Sequence, residues 1–186
     1  ITVAGFGKSM AIGLSVTSDN RVFVSFPGYN GNGKLALAEE KSGKIYPYPD
    51  MAWNSREGND NAHFLHVQDL FADARDNLWV LDSRPASAGN TAAAGKGAQE
   101  GQFKLVKINT HTNKVEKVYL FEDLDKSRSA LNDMRVDLKR NLAYLSDPGQ
   151  AAIVVLDLAS GKTRTVLQNT PFTQADAPAT VTSNDM

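Results

Sequence analysis

The sequence predicts an all-β fold assembled from a repeated four-stranded unit, and three observations carry that prediction. One pattern recurs three times, as GLSVTSDNRVFVSF (Gly13 to Phe26), DLFADARDNLWVLD (Asp69 to Asp82) and DMRVDLKRNLAYLS (Asp133 to Ser146). Each copy is followed by a second hairpin-like stretch: KLALAEEKSGKIYPYP, KLVKINTHTNKVEKVYLF or AIVVLDLASGKTRTVL. No segment holds a helical period over more than about two turns. Four-stranded antiparallel units repeated along a chain are the blades of a β-propeller, whose ring needs about 4–8 of them.

The elements follow in order. In each copy a short strand runs into a polar turn, Ser18-Asp19-Asn20, Arg75-Asp76-Asn77 or Lys139-Arg140-Asn141, and then into a strand rich in β-branched and aromatic residues. Leu14, Leu70 and Met134 share one column of this alignment, and Val22, Leu78 and Leu142 another. The second hairpins turn at Ser42-Gly43-Lys44, Thr112-Asn113-Lys114 and Ser160-Gly161-Lys162, where Gly or Asn tolerates positive φ. The blades are therefore expected over about 10–50, 66–123 and 130–168, within one partial domain spanning 1–186.

The connections are uneven. Trp53 to His66 forms a long loop between the first two units, and the Ala/Gly-rich stretch from Arg84 to Gln102 reads as a mobile surface insertion. Gly28 to Lys34, GYNGNGK, lacks the spacing of a phosphate loop and reads as a flexible connection. The tail after Gln168 shows no fourth copy. Three blades leave two raw edges, so the remaining blades are expected from a missing C-terminal half or from a partner chain.

Composition narrows the functional classes. With 186 residues, 41% hydrophobic, 22% charged and a net charge of −1, the chain reads as a globular domain with mixed surface charge. No concentrated basic face argues for nucleic acid. No apolar run approaches the ~18 residues of a membrane span. Cysteine is absent, which removes thiolate chemistry and the common zinc motifs. No basic-then-apolar leader precedes Ile1.

Four stretches, RVFVSFPGY, VQDLFADARDNLWVLDS, KLVKINTHTNKVEKVYLF and LNDMRVDLKRNLAYLSDPGQAAIVVLDLASGKTRTVL, resemble the major royal jelly protein/Yellow family. The nearest likeness is to its bacterial members, described as related to L-dopachrome tautomerase. The resemblance implies a six-bladed β-propeller, of which this chain holds about three blades, and a secreted or periplasmic protein. It also implies binding, and on one reading isomerisation, of a small aromatic or amine-bearing molecule at the central channel mouth. Insect members carry cysteines near the motif that reads NLWVLD here; this chain has none.

In a propeller the first strand of each blade lines the channel, and the loop entering it lies at one mouth. Gln68-Asp69 and Asn132-Asp133 occupy that entry in two successive blades, whereas the first blade has Ile12-Gly13. Three uses are open to these side chains. Asp69 and Asp133 satisfy backbone N–H groups at the blade entries; or Asn132 and Asp133 hold Ca²⁺ or another divalent cation; or the four residues line a ligand pocket with rim aromatics such as Phe26, Tyr29, Trp53 and Phe64. The metal reading draws on a resemblance to the gluconolactonase family, whose ion would activate water for lactone hydrolysis. That family also needs a glutamate near its first strand, where this chain offers Ile12, Gly13 and Leu14.

An isomerase needs an acid/base, for which His63 and His66 are the chemical candidates, the alternative being exposed loop histidines. His111 falls in a distal turn. Trp79 reads as core; Asp73, Asp76 and Asp137 read as turn formers. Asp82 and Asp147, at strand ends, remain open between structure and site. No acid, base and nucleophile trio is visible, which keeps a non-catalytic extracellular interaction protein among the readings.

Overall fold

The computed structural model describes residues 5–27, 35–55, 57–86 and 100–174. Within them twelve strands form three four-stranded antiparallel sheets, each in simple sequence order, as in propeller blades. The first blade holds β1 (Leu14–Val16), β2 (Val22–Ser25), β3 (Leu37–Lys41) and β4 (Lys44–Pro47). The second holds β5 (Val67–Ala72), β6 (Asn77–Arg84), β7 (Gln102–Asn109) and β8 (Lys114–Tyr119). The third holds β9 (Met134–Asp137), β10 (Leu142–Asp147), β11 (Ala152–Asp157) and β12 (Thr163–Val166). The inner strands are successive neighbours, β1 against β5 and β5 against β9. Tyr29 with the rest of its Gly-rich loop, residues 87–99 of the Ala/Gly-rich stretch and the tail from 175 lie outside the described residues.

Turn chemistry follows the expected residues. Positive φ falls on Asn20 (64°), Asp76 (55°) and Asn141 (57°) between the first two strands of each blade. In the distal turns it falls on Gly43 (81°), Asn113 (54°) and Gly161 (74°).

One column of the repeat needs correction. Leu14 faces Val24 and Leu70 faces Val80, but Met134 faces Leu145, because the third blade's first turn carries one extra residue. The counterpart of Leu78 is therefore Ala143, fully buried like it, and Leu142 is only half-buried. The same shift aligns Asp147 with Asp82 and Phe26, and Ser146 with Ser25.

Packing explains why β6 reads as an almost unbroken apolar run. Successive side chains point to opposite faces of a strand. Leu78 and Val80 join the core shared with the first blade, which includes Phe23, Tyr48, Phe64 and Leu70. Trp79 and Leu81 join the core shared with the third, which includes Leu105, Tyr119, Met134 and Leu145. Trp79 is thus core, as its place inside a strand suggests. Burying each such side chain contributes about 1.5–3 kcal/mol. The first blade's outer face is different: Met10, Ile12, Leu14 and Val16 form an exposed apolar row, while the counterparts of Leu14, Leu70 and Met134, are buried against the preceding blade.

Two details fix the blade junctions. A Cβ at Gly13 would lie 2.6 Å from Ser25 Oγ and 3.2 Å from Leu70 Cγ, so this entry admits no side chain without displacement. In the second blade, the buried Asp82 carboxylate accepts the Leu65 N–H at 2.8 Å and pairs with the buried Lys104 ammonium at 2.7 Å. Lys104 also donates to the Asp60 carbonyl at 2.7 Å, pinning the loop that enters β5. Asp147 acts alike in the third blade, accepting the Ala130 N–H at 2.8 Å. Both strand-end carboxylates are thus structural acceptors.

Gly13→Ala should lower stability by about 1–3 kcal/mol through overpacking, read by urea unfolding. Gly5→Ala, where a Cβ meets nothing within 4 Å, is the control and should leave the midpoint unchanged. Lys104→Met strands a buried carboxylate and should cost about 3–5 kcal/mol in the same assay.

Candidate functional site

The blade entries draw together the polar sequence candidates Gln68, Asp69, Asn132 and Asp133. β5 pairs Val67 with Asp82 and Asp69 with Leu81, leaving Gln68 as the extra residue of a β-bulge. A bulge re-aims its side chain, and Gln68 Nε2 donates to Asn132 Oδ1 of the next blade at 2.7 Å. Asn132 Nδ2 in turn donates to Asp133 Oδ2 at 3.2 Å.

Asp69 is the hub. Its Oδ1 accepts the Leu70 N–H at 2.8 Å and its Oδ2 accepts the Met134 N–H at 2.8 Å. One carboxylate thereby caps amides of two successive inner strands, the fourth residue of β5 and the first of β9. The exposed Arg135 guanidinium stands 3.6 Å from Asp69 Oδ2. Burial pushes the Asp69 carboxyl above its usual range. Its two amide partners oppose that shift, the Asp133 carboxylate adds to it, and Arg135 opposes it.

Asp133 occupies the matching position but is differently employed. Its own N–H is held by Ser146 Oγ at 3.0 Å, as that of Gly13 is held by Ser25 Oγ at 2.8 Å. Because Asp69 already caps Met134, the exposed Asp133 carboxylate has no backbone amide to serve among the described residues. The Asn132 amide is its one hydrogen-bond donor there.

The other candidates lie elsewhere. Phe26, expected at the rim, is fully buried, its ring edge-to-face on Phe6 at 5.8 Å, and offers no face to a ligand. It occupies the place that Asp82 and Asp147 hold in the other blades, and an apolar side chain there turns into the core. Trp53 is half-buried against Phe64, with ring centroids 5.1 Å apart. His63 is 3% exposed rather than an exposed loop residue, with Nε2 3.5 Å from Asp60 Oδ1. His66 is half-buried, its N–H held by Asp82 and its carbonyl by the Ser83 N–H. The Nδ1 atoms of both histidines are buried without a hydrogen-bond partner among the described residues. Neither histidine is hydrogen-bonded to the Gln68–Asp133 group.

The remaining aspartates form turns. Asp73 accepts from the Arg75 and Asn77 amides and from Trp79 Nε1. Asp137 accepts from the Lys139 and Arg140 amides. Asp76 does more than its turn requires, accepting the Ser18 amide at 2.7 Å across the first blade junction.

The rim's fit to a divalent cation is poor. Ca²⁺ takes about six to eight oxygens. Asn132 Oδ1 is engaged by Gln68 Nε2, and both Asp69 oxygens are engaged by amides, which leaves the Asp133 carboxylate and Gln68 Oε1, far short of that number. Among the described residues no group of three or more His, Asp or Glu side chains is placed to hold a metal ion.

Among the described residues, no helix is long and apolar enough to cross a membrane. No curated protein matches the chain. Among solved structures, a catalytically inactive virginiamycin B lyase from Staphylococcus aureus, crystallised with quinupristin, is similar at 14% identity and a TM-score of 0.41, over 88% of this chain and 57% of that one. Citrobacter koseri AztD is similar at 12% identity and a TM-score of 0.31, over 86% of this chain and 47% of that one. The chain therefore spans about half the length of these two structures. A family model described as major royal jelly protein matches residues 65–184, which take in the whole second and third blades and both halves of the Gln68–Asp133 rim. The chain belongs to the major royal jelly protein family.

Proposed function

We propose that the protein binds a small amine-bearing aromatic molecule at the inner-strand rim, with Asp133 receiving the ammonium group. The supporting observation is the division of labour between two equivalent carboxylates. Asp69 has both oxygens committed to backbone amides, whereas Asp133 is exposed and, among the described residues, accepts from Asn132 alone. A carboxylate with spare acceptor capacity, next to a second carboxylate and an amide, is suited to a primary ammonium with three donors. The Gln68–Asn132 bond holds the two blade entries in register, so the acceptor is presented on a fixed frame.

Binding is better supported than isomerisation. The rim brings together carboxylates and amides, while His63 is buried away from solvent and His66 is tied through its backbone. Action outside the cytoplasm, as for the royal jelly proteins, is part of this reading. So is a further blade, from the same polypeptide or another, covering the apolar row of Met10, Ile12, Leu14 and Val16.

Calorimetric titration with tyramine tests the ligand class, with 4-ethylphenol, which lacks the amine, as control. Saturable binding of tyramine is expected, and Asp133→Asn should weaken it about tenfold, the loss of one charge-assisted contact. The melting temperature should hardly change, since the residue is exposed. Equal affinity for both compounds, or tyramine binding unaffected by Asp133→Asn, would overturn the reading.

A further inference from the structure

The two blade junctions share a plan at the end remote from the rim, and their difference exposes a second site. At the first junction Phe23 and Tyr48 form an aromatic floor, their ring centroids 4.6 Å apart. The Arg21 guanidinium lies over both rings, at 5.2 and 5.5 Å. It pairs with Glu39 at 2.7 Å and reaches into the next blade, to the Thr110 carbonyl and, at 2.8 Å, to Asn113 Oδ1. Arginine and glutamate together fill that wedge.

The pairing register identifies the equivalents at the second junction. Phe23 with Glu39 corresponds to Trp79 with Lys107, and Arg21, which closes the first turn by accepting the Thr17 N–H, corresponds to Asn77. Tyr48 corresponds to Tyr119, which stacks on Trp79 at 6.3 Å. The floor is kept, but the long cation has become a short amide and the carboxylate has become an ammonium. The wedge stays open as a cleft of about 510 Å³.

Its polar groups are unevenly matched. Glu116 is engaged by Lys107 Nζ at 2.7 Å and Asn109 Nδ2 at 2.9 Å. Asp73, beneath the floor, is engaged by Asn77 and Trp79. Lys117 lies over the Tyr119 ring at 4.5 Å and donates to the Leu158 carbonyl at 3.0 Å. The Arg75 guanidinium and the Asn141 side-chain amide, both lining the cleft, have no hydrogen-bond partner among the described residues. The carboxylates are committed while cationic donors remain, and three cations, Arg75, Lys107 and Lys117, line the walls against the one carboxylate of Glu116.

We propose that this cleft between the second and third blades binds a small organic oxyanion, its charged group on Arg75, Lys107 and Asn141 and its apolar body against Leu138, Leu158 and the Tyr119 edge. Such a ligand replaces the carboxylate that Glu39 supplies at the first junction. The volume falls within the range of about 300–1,000 Å³ usual for small-molecule sites. The site is built from described residues of two adjacent blades and is independent of the rim.

Calorimetry with phenyl phosphate, using inorganic phosphate and phenol as controls, tests it on the full chain. Saturable one-to-one binding of phenyl phosphate is expected, stronger than that of inorganic phosphate, with none for phenol. Arg75→Gln, a change at an exposed side chain, should weaken binding about tenfold. The double variant Asn77→Arg with Lys107→Glu fills the cleft after the pattern of the first junction and should abolish binding, with circular dichroism checking that the variant is folded. Absence of saturable binding, or binding that survives both variants, would overturn the proposal, and tyramine binding at the rim should be unaffected by either.

Discussion

The arrangement of these blades depends on an amide that no sheet partner can satisfy. In an antiparallel ladder, residues alternate between those that exchange hydrogen bonds with the neighbouring strand and those that do not. The Leu70 amide in β5 and the Met134 amide that opens β9 point to the open inner edge, where each must find an acceptor or remain unpaired at a cost of about 1–3 kcal/mol. Asp69 supplies both acceptors, one oxygen for Leu70 in its own blade and one for Met134 in the next. A charged acceptor strengthens each bond to about 1.5–3 kcal/mol. Gly13 cannot share this duty, since a side chain there would collide with Ser25 and Leu70. Asp69 is therefore the pin of the second junction, and Asp133 owes its spare capacity to it.

The two junctions show how one architecture tolerates different chemistry. Both bury an aromatic pair at the same register, both cap the pair with a cation, and both tie the far end to a carbonyl of the following blade. At the first junction one arginine does all of this. At the second the work is divided between Lys107, Lys117 and the Tyr119 hydroxyl, which also donates to the Leu158 carbonyl at 3.0 Å. Dividing the work leaves space, and the space is lined by donors. Repetition of the blade thus secures the fold, while substitution at matched positions produces sites.

The repeat, its turns and the order of the blades were legible because they rest on local rules: period-two apolar strands, and Asn, Asp or Gly where φ is positive. The extra residue in the third blade was not, because Asn141-Leu142 imitates Asn77-Leu78 letter for letter and only strand pairing reveals the shift. Placing Gln68-Asp69 and Asn132-Asp133 at one rim followed from the repeat alone. Their different roles did not, since these depend on which amide lies within reach across a junction. Phe26 misled as a rim aromatic because it precedes a Gly-rich loop, yet Phe6, far away in sequence, provides its packing partner. His63 looked exposed because its loop is polar, but the Asp60 carbonyl bonded to buried Lys104 draws that loop onto the blade.

Amide hydrogen exchange, followed residue by residue in the parent protein and in Asp69→Ala, tests the pin most directly. The account predicts that Leu70 and Met134 are both protected in the parent and lose protection together in the variant, although they sit in different blades. Amides inside the ladders, such as those of β10 and β11, should keep theirs. If Met134 stayed protected without the Asp69 carboxylate, the junction would be held by packing alone and the central claim would fail.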